Sequence, residues 1–364
     1  MFIAGIMNTS RAEIFKRMLP GFIPIVAFII ADEIWGTFYG LIVAIAIGLA
    51  ELIYSLVKYR TIDKFVILDV GLLLALGGIS LIFDNDIFFK VKPGIINLII
   101  TGLIGYSAFS KNNIVLMMSK RYMKGVEFNP YQMWLLNESM KKLFWILLVY
   151  SVLTLISAFL DSKAVWDFMA GPGMFVVFGI FMGIEWITKK KQNKKYENED
   201  WVPLVDVDGN VTGQAPRSVV HNGSSMLLHP VVHLHVINEN GIYLQKRPLT
   251  KKIQPGKWDT AVGGHVDPGE NIEQALARET FEEIGIRNFS AKLLKKYIWE
   301  SGVERELVFS FVTNYNGNFM INKGEVADAR FWLPKEIDAS TGDDIFTPNF
   351  LHEYKWIKEI LEKM

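Results

Sequence analysis

The sequence predicts two fold classes in one chain: an N-terminal all-α polytopic membrane bundle, then a C-terminal α/β/α sandwich on a mixed sheet. Three observations carry that reading. Hydrophobic residues make up 51% of the 364, with a mean hydropathy of +0.24, and they concentrate before residue 188. There they form runs near the length a helix needs to cross a bilayer. All six histidines (221, 229, 233, 235, 265 and 352) fall after that point, among strand-like runs that surround one strongly helical stretch. The domains implied are 1–187, a linker at 188–200, and 201–364.

Candidate spans cover about 20–34, 37–57, 65–83, 94–110, 143–160 and 168–187. The first is short and broken by Pro20 and Pro24, so it reads as tilted or re-entrant. Residues 127–142 (EFNPYQMWLLNESMKK) predict an interfacial helix ahead of the fifth span. Basic residues set the orientation. With the N-terminus inside, the inner segments hold seventeen Lys and Arg, at 11, 16, 17, 58, 60, 64, 111, 120, 121, 124, 141, 142, 189, 190, 191, 194 and 195. The outer segments hold Lys90, Lys92 and Lys163. That bias puts both ends in the cytoplasm and makes the crossings even in number. Tyr39, Tyr54, Tyr59, Trp145 and Trp166 lie near span ends, as an aromatic belt would. Glu51 and Asp69 sit towards cytoplasmic ends, where snorkelling is cheap, and read as structural. Met1 to Arg17 does not read as a cleavable signal peptide. The segment TKKKQNKKYENED (188–200) reads as a basic anchor against anionic lipid that becomes a linker.

After the linker, VPLVDVDGNVTGQ predicts a hairpin turning at Asp208-Gly209. APRSVVHN predicts a short helix. HPVVHLHVIN and GIYLQKR are strand-like, with a turn from Asn238 to Gly241. Further strands are expected near 292–300, 306–315 and 329–333, and a closing helix at 347–363. The absence of cysteine excludes disulfides, thiol catalysis and cysteine-based zinc sites. A net charge of zero gives no global field to attract nucleic acid.

The chemistry is concentrated in GHVDPGENIEQALARETFEEIGI, residues 264–286. Pro268-Gly269 supplies a turn. Ile272 to Ile284 is rich in helix formers with an apolar stripe. On that helix Glu279, Glu282 and Glu283 stand at i, i+3 and i+4, so their carboxylates share a face. Clustered carboxylates repel unless a cation sits among them, and Mg²⁺ prefers such oxygen ligands. Arg278, four residues before Glu282, can pin it. Gly285 suits the left-handed residue that ends a helix. A merely solvated acidic face leaves Gly264, Glu270, Arg278 and Gly285 at their offsets unexplained.

This spacing resembles the Nudix box, G-x5-E-x7-R-E-U-x-E-E-x-G-U, with U a bulky apolar residue. Every fixed position is met, and only Thr280 departs, at the first U. The resemblance implies hydrolysis of a diphosphate linkage with Mg²⁺ or Mn²⁺. Glu279, Glu282 and Glu283 would be metal ligands, and Arg278 and Glu270 would belong to the catalytic machinery. The general base would be one of these glutamates or one outside the box such as Glu325.

RSVVHN, LLHPVVHLHVIN, LQKRPLTKKIQPGKWDTAVGGH and SGVERELVFSF resemble isopentenyl-diphosphate isomerases and their hydrolase relatives. The resemblance implies a second metal site at His221, His229, His265, Glu304 and Glu306, with packing or hydrogen bonding as the competing account of the histidines. The isomerases' catalytic cysteine falls at Gly263, which favours hydrolysis over isomerisation. A non-catalytic sensor of a diphosphate ligand is the remaining alternative. Lys246, Arg247, Lys251 and Lys252 could hold a diphosphate. His233 and His235 alternate with apolar residues and read as structural, and Trp258 reads as packing.

FIPIVAFIIADEIWGTFYGLIVA, KYRTIDK and FDNDIFFKVKPGIINLI resemble the inner-membrane septation protein A (YciB-type) family over about residues 18–187. That resemblance implies a bacterial inner-membrane protein tied to envelope maintenance or division. Its partners would be the bilayer and envelope or division proteins, with no nucleic acid. The appended C-terminal domain is a departure from that family.

Overall fold

The computed structural model describes residues 86–110, 128–251 and 253–361, with scattered positions between 30 and 53. The expected spans at 20–34, 37–57 and 65–83 fall largely outside the described residues, as do Glu51, Asp69 and Lys252. The chain divides into two compact units: Met1–Glu127 with Leu135–Lys189, and Phe128–Trp134 with Lys190–Met364.

The first unit holds helices α1 (Asp86–Phe109), most of α2 (Pro130–Ser157), α3 (Lys163–Ala170) and most of α4 (Gly173–Lys195). The interfacial helix expected at 127–142 is not separate from the fifth span, because α2 runs unbroken for 28 residues. Asn129 fixes its start: the Gln132 N–H donates to Asn129 Oδ1 (2.8 Å) and the Asn129 N–H to Gln132 Oε1 (3.0 Å). Pro130 takes the first helical position, where its missing N–H costs nothing. No glycine or proline follows before Ser157, so nothing ends the helix where a break was expected.

Among the described residues α2, whose most apolar 18-residue stretch has a mean hydropathy of 1.6, is the one helix long and apolar enough to cross a membrane. The expected span at 168–187 is instead a bent pair, Ala164–Ala170 and Gly173–Lys195, meeting at 52°. Pro172 lies at the break, where a proline is expected. α4 continues to Lys195, so the basic run at 189–195 is helical rather than an extended linker. α1 packs closely on α2: a Cβ at Gly94 would press on Leu155, and one at Gly105 on Phe144. Glu185 of α4 accepts from Ser139 (2.7 Å) and Lys142 (2.8 Å) of α2.

The second unit opens with the antiparallel hairpin β1 (Trp201–Val205) and β2 (Val211–Pro216). Asp206 Oδ1 accepts from the backbone of Asp208 and Asn210, and Gly209 takes φ +91°, which completes the turn. The short α5 (Arg217–Val220) leads to β3 (Leu228–Asn238), the spine of a seven-stranded mixed sheet. One edge of β3 pairs antiparallel, first with β6 (Val262–His265) and then with β4 (Gly241–Lys246). Its other edge pairs parallel with β8 (Arg305–Asn314), beyond which lies β7 (Lys292–Glu300). β4 also carries β5 (Trp258–Asp259) and β9 (Asp328–Trp332).

Alternate residues of β3 serve opposite faces. Val232, Leu234 and Val236 enter a core with Ala275, Leu276 and Ile284 of α6 (Ile272–Ile284). On the other face Ile237 and Leu244 join a core with α7 (Pro334–Ser340) and α8 (Pro348–Leu361), through Ile337, Phe350 and Ile357. The sheet is therefore sandwiched between helices, as expected. β5, β6 and α7 were not expected.

Candidate functional site

α6 is fixed at both ends. Asn271 and Gln274 form a reciprocal capping box (2.8 and 3.0 Å), and Gly285 closes the helix at φ +74°. With its apolar stripe buried on β3, the helix turns Glu279, Glu282 and Glu283 towards a cleft of about 730 Å³. Their settings differ. Glu282 is half exposed, whereas Glu283 is buried and accepts from the Gly263 N–H (3.2 Å) and Gln245 Nε2 (3.0 Å). Burial, then the charge of Glu279, pushes the Glu283 carboxyl up to about 8. Burial also raises Glu279. Burial thus disfavours Glu279 and Glu283 as anions, a condition that a divalent cation relieves.

Arg278 organises the group. It grips Glu270 with Nε and Nη2 (3.0 and 2.9 Å) and donates from Nη1 to Glu279 (2.8 Å) and from Nη2 to the His265 carbonyl (2.8 Å). Burial opposes ionisation of Glu270, but the bonds from Arg278 outweigh it and hold Glu270 below its usual range. The expected pin from Arg278 to Glu282 is the longest of these contacts, at 3.3 Å. Gly264 is required by space, since a Cβ there would overlap the Glu279 carboxyl.

The His265 carbonyl links this group to a second one. Ligand nitrogens of His221, His229 and His265 lie within 4.8 Å of one another. His221 Nε2 is 3.0 Å from His265 Nε2, and its Nδ1 is 2.5 Å from Glu304. Glu306 lies 4.0 Å from His229 Nε2. Sheet register brings these residues together: His229 pairs with Glu306 across β3 and β8, and Val231 with His265 across β3 and β6. His229 Nδ1 meets the Leu227 carbonyl (3.0 Å), leaving Nε2 buried without a hydrogen-bond partner. Burial lowers His229 to about 4, and burial with the charge of His229 lowers His265 well below its usual range. Neutral imidazoles with an orphaned nitrogen and two carboxylates fit a divalent metal.

The comparisons agree with this geometry. Residues 227–354 match the NUDIX domain model, and residues 16–195 match that of intracellular septation protein A. The chain is 31% identical over 172 residues to an uncharacterized Nudix hydrolase, orf19, of Rhodococcus erythropolis, covering 43% of this chain and 93% of that protein. The C-terminal half belongs to the Nudix family. It is also 38% identical over 161 residues to an isopentenyl-diphosphate Delta-isomerase of Cutibacterium acnes, covering 44% of this chain and 74% of that protein. The N-terminal half is 28% identical over 171 residues to the inner membrane-spanning protein YciB of Paraburkholderia phymatum, covering 46% of this chain and 93% of that protein.

Other residues of the Nudix domain stand differently from expectation. Arg247 is held by Asp259 (3.1 Å) and the Ile253 carbonyl (3.2 Å), so its guanidinium is already engaged. Lys246 Nζ lies 5.8 Å from the Trp258 ring centre and does not line the cleft. Lys251 lines the cleft and pairs loosely with Glu325 (3.6 Å). Trp258 is buried among Trp332 and Phe346, as packing. Sequence reasoning missed Gln245 on Glu283 and Arg217, whose Nη2 is 3.3 Å from His265 Nδ1. No local signal marks either, because each contact joins a helix to a strand distant in sequence.

Proposed function

We propose that this protein is a membrane-tethered Nudix hydrolase that cleaves a diphosphate linkage in a nucleoside diphosphate derivative or a related compound. The observation that carries the reading is the cluster of Glu279, Glu282 and Glu283 at the cleft, where burial disfavours Glu279 and Glu283 as anions and Arg278, Gln245 and Gly263 hold those two in place. A divalent ion held there, Mg²⁺ or Mn²⁺, would neutralise charge developing on the phosphoryl oxygens. Arg278 keeps Glu270 ionised and holds both Glu270 and Glu279 in place. A cleft carboxylate, one of the box glutamates or Glu325, takes the proton from water as its oxygen bonds to phosphorus and the bridging P–O bond breaks. His221, His229, His265, Glu304 and Glu306 would hold a second ion.

An isomerase-like reading draws on that second cluster and on the identity with the isomerase. Gly263 and the absence of any cysteine weigh against it. The likeness of the N-terminal half to YciB supports an inner-membrane location for the enzyme. There we expect six spans and cytoplasmic ends, on the bias of basic residues.

The deciding experiment incubates the detergent-purified full chain with Mg²⁺ and a panel of nucleotide and prenyl diphosphates, isopentenyl diphosphate included. Phosphate or monophosphate release from at least one compound is expected. Conversion of isopentenyl diphosphate to its isomer would favour the isomerase reading, and binding without turnover would favour a sensor.

A further inference from the structure

His233 was expected to be structural, and part of its environment is. Its Nδ1 faces both oxygens of Glu353 on α8, at 3.1 and 3.2 Å. Glu353 is fully buried and also accepts from His235 Nε2 (2.7 Å) and the Tyr297 hydroxyl (3.0 Å). Such a network docks α8 onto the sheet, and this accounts for His235 and Tyr297. It leaves the other edge of His233 unexplained. His233 pairs with Gly263 across β3 and β6, and the Gly263 N–H is held by Glu283. Gly263 has no side chain to cover the ring. A Cβ there would sit 3.6 Å from His233 Cδ2 and 3.9 Å from Nε2. His233 lines the cleft, and among the described residues its hydrogen bonds, both to Glu353, are made through Nδ1.

The charge balance of the cleft gives that open edge a use. Carboxylates outnumber basic side chains in the cleft that Gly263 lines, Glu279, Glu282, Glu283, Glu304 and Glu306 among them. A diphosphate is itself an anion and needs donors beyond any metal. Arg278 and Arg247 are engaged with protein acceptors, Lys251 pairs loosely with Glu325, and Arg217 stands beside His265. His233 is available and oriented. Burial lowers its basicity, but the Glu353 carboxylate outweighs that and raises His233 to about 9, so near neutrality Nε2 carries a proton to donate.

We propose that His233 is a substrate-binding residue whose Nε2–H holds a phosphoryl oxygen of the diphosphate, with Glu353 as the positioning residue that fixes the ring. The inference rests on the hydrolase reading for the class of its ligand.

The test titrates the detergent-purified full chain, with Mg²⁺ present, with methylene diphosphonate, a diphosphate that cannot be hydrolysed. Two substitutions separate the edges of the ring. His233→Asn can keep the bond to Glu353 but loses the donor in the cleft. His233→Gln can place an amide donor near the position of Nε2. We expect His233→Asn to weaken diphosphonate binding roughly ten- to a hundred-fold, the scale of losing a hydrogen bond between charged groups. His233→Gln should recover part of the loss, and Mg²⁺ binding without diphosphonate should stay unchanged in both. Glu353→Gln should weaken binding in the parent and add nothing to His233→Asn, as expected of residues acting as one unit.

Diphosphonate affinity unchanged in His233→Asn would overturn the proposal, as would a parent that does not bind the probe. Additive losses would overturn the positioning role of Glu353. Should His233→Asn fail to fold, ¹⁵N signals of the parent's His233 ring decide: a shift at Nε2 on adding diphosphonate supports the assignment, and no shift sinks it. A parent that binds the probe through His233 but hydrolyses no compound on the panel would overturn the hydrolase reading alone.

Discussion

Glu282 and Glu283 are neighbours in the chain but stand in opposite surroundings. Glu282 is half exposed and loosely held, whereas Glu283 is buried and bonded on two sides. Either as Gln should lower kcat by about 10²-fold or more, since removing charge stabilisation from a metal site costs several kcal/mol of transition-state binding. Stability should respond differently. A carboxyl raised to about 8 is a burden on the fold when ionised, so at pH above 8 Glu283→Gln should raise the metal-free unfolding midpoint. Near-normal turnover in either variant, on a substrate the parent hydrolyses, would remove these residues from the metal site. His229→Gln should cost the chain one tightly bound divalent ion by elemental analysis, and unchanged metal content would mean that His229 serves packing. The three box carboxylates were legible because Glu279, Glu282 and Glu283 lie on one helix, whose period places them. The histidine–glutamate cluster, spread from residue 221 to 306, was legible only through a family likeness. The His233–Glu353 pair was not legible, because its members are 120 residues apart and meet only when α8 docks.

Elements were legible where a local signal fixed both ends. α6 lies at Ile272–Ile284, as the Pro268-Gly269 turn before it and Gly285 after it predict. Gly285 should tolerate no side chain. At φ +74°, a Cβ would also lie 2.6 Å from Met320 Cβ and 3.0 Å from the Met320 carbonyl oxygen. Gly285→Ala should therefore destabilise the Nudix domain by about 1–3 kcal/mol. At roughly 2–4 °C per kcal/mol for a domain of this size, calorimetry would see the shift, and an unchanged midpoint would mean the cap is dispensable. Elements failed to show where their cause is not local. β5 has 2 residues and the glycine-rich β6 has 4, too few for alternation to register. They exist because β3 and β4 offer them an edge. α2 was divided in expectation because its amphiphilic first half and apolar second half suggest different surroundings, yet backbone hydrogen bonding ignores that change and no breaker interrupts it.

At the scale of the whole molecule the question is which side of the membrane carries the Nudix domain. The cytoplasmic side proposed above rests on the basic residues: seventeen of the twenty up to Lys195 fall in segments assigned inside. The structure adds that α4 carries its lysines in continuous helix to Lys195. A helical basic run directly after an apolar one holds its charges close to the lipid surface, where each is worth about 1 kcal/mol against anionic headgroups. Lys189, Lys190, Lys191, Lys194 and Lys195 therefore oppose translocation of everything that follows. A fluorescent protein fused after Met364 should be bright, and alkaline phosphatase at the same point inactive. Exchanging the five lysines for glutamine should weaken the preference without reversing it, because twelve inner basic residues precede them. Phosphatase activity from the unmodified fusion would overturn the orientation. It would also separate the hydrolase from cytoplasmic nucleotides, so a lipid-linked diphosphate outside the membrane would become the substrate class to test.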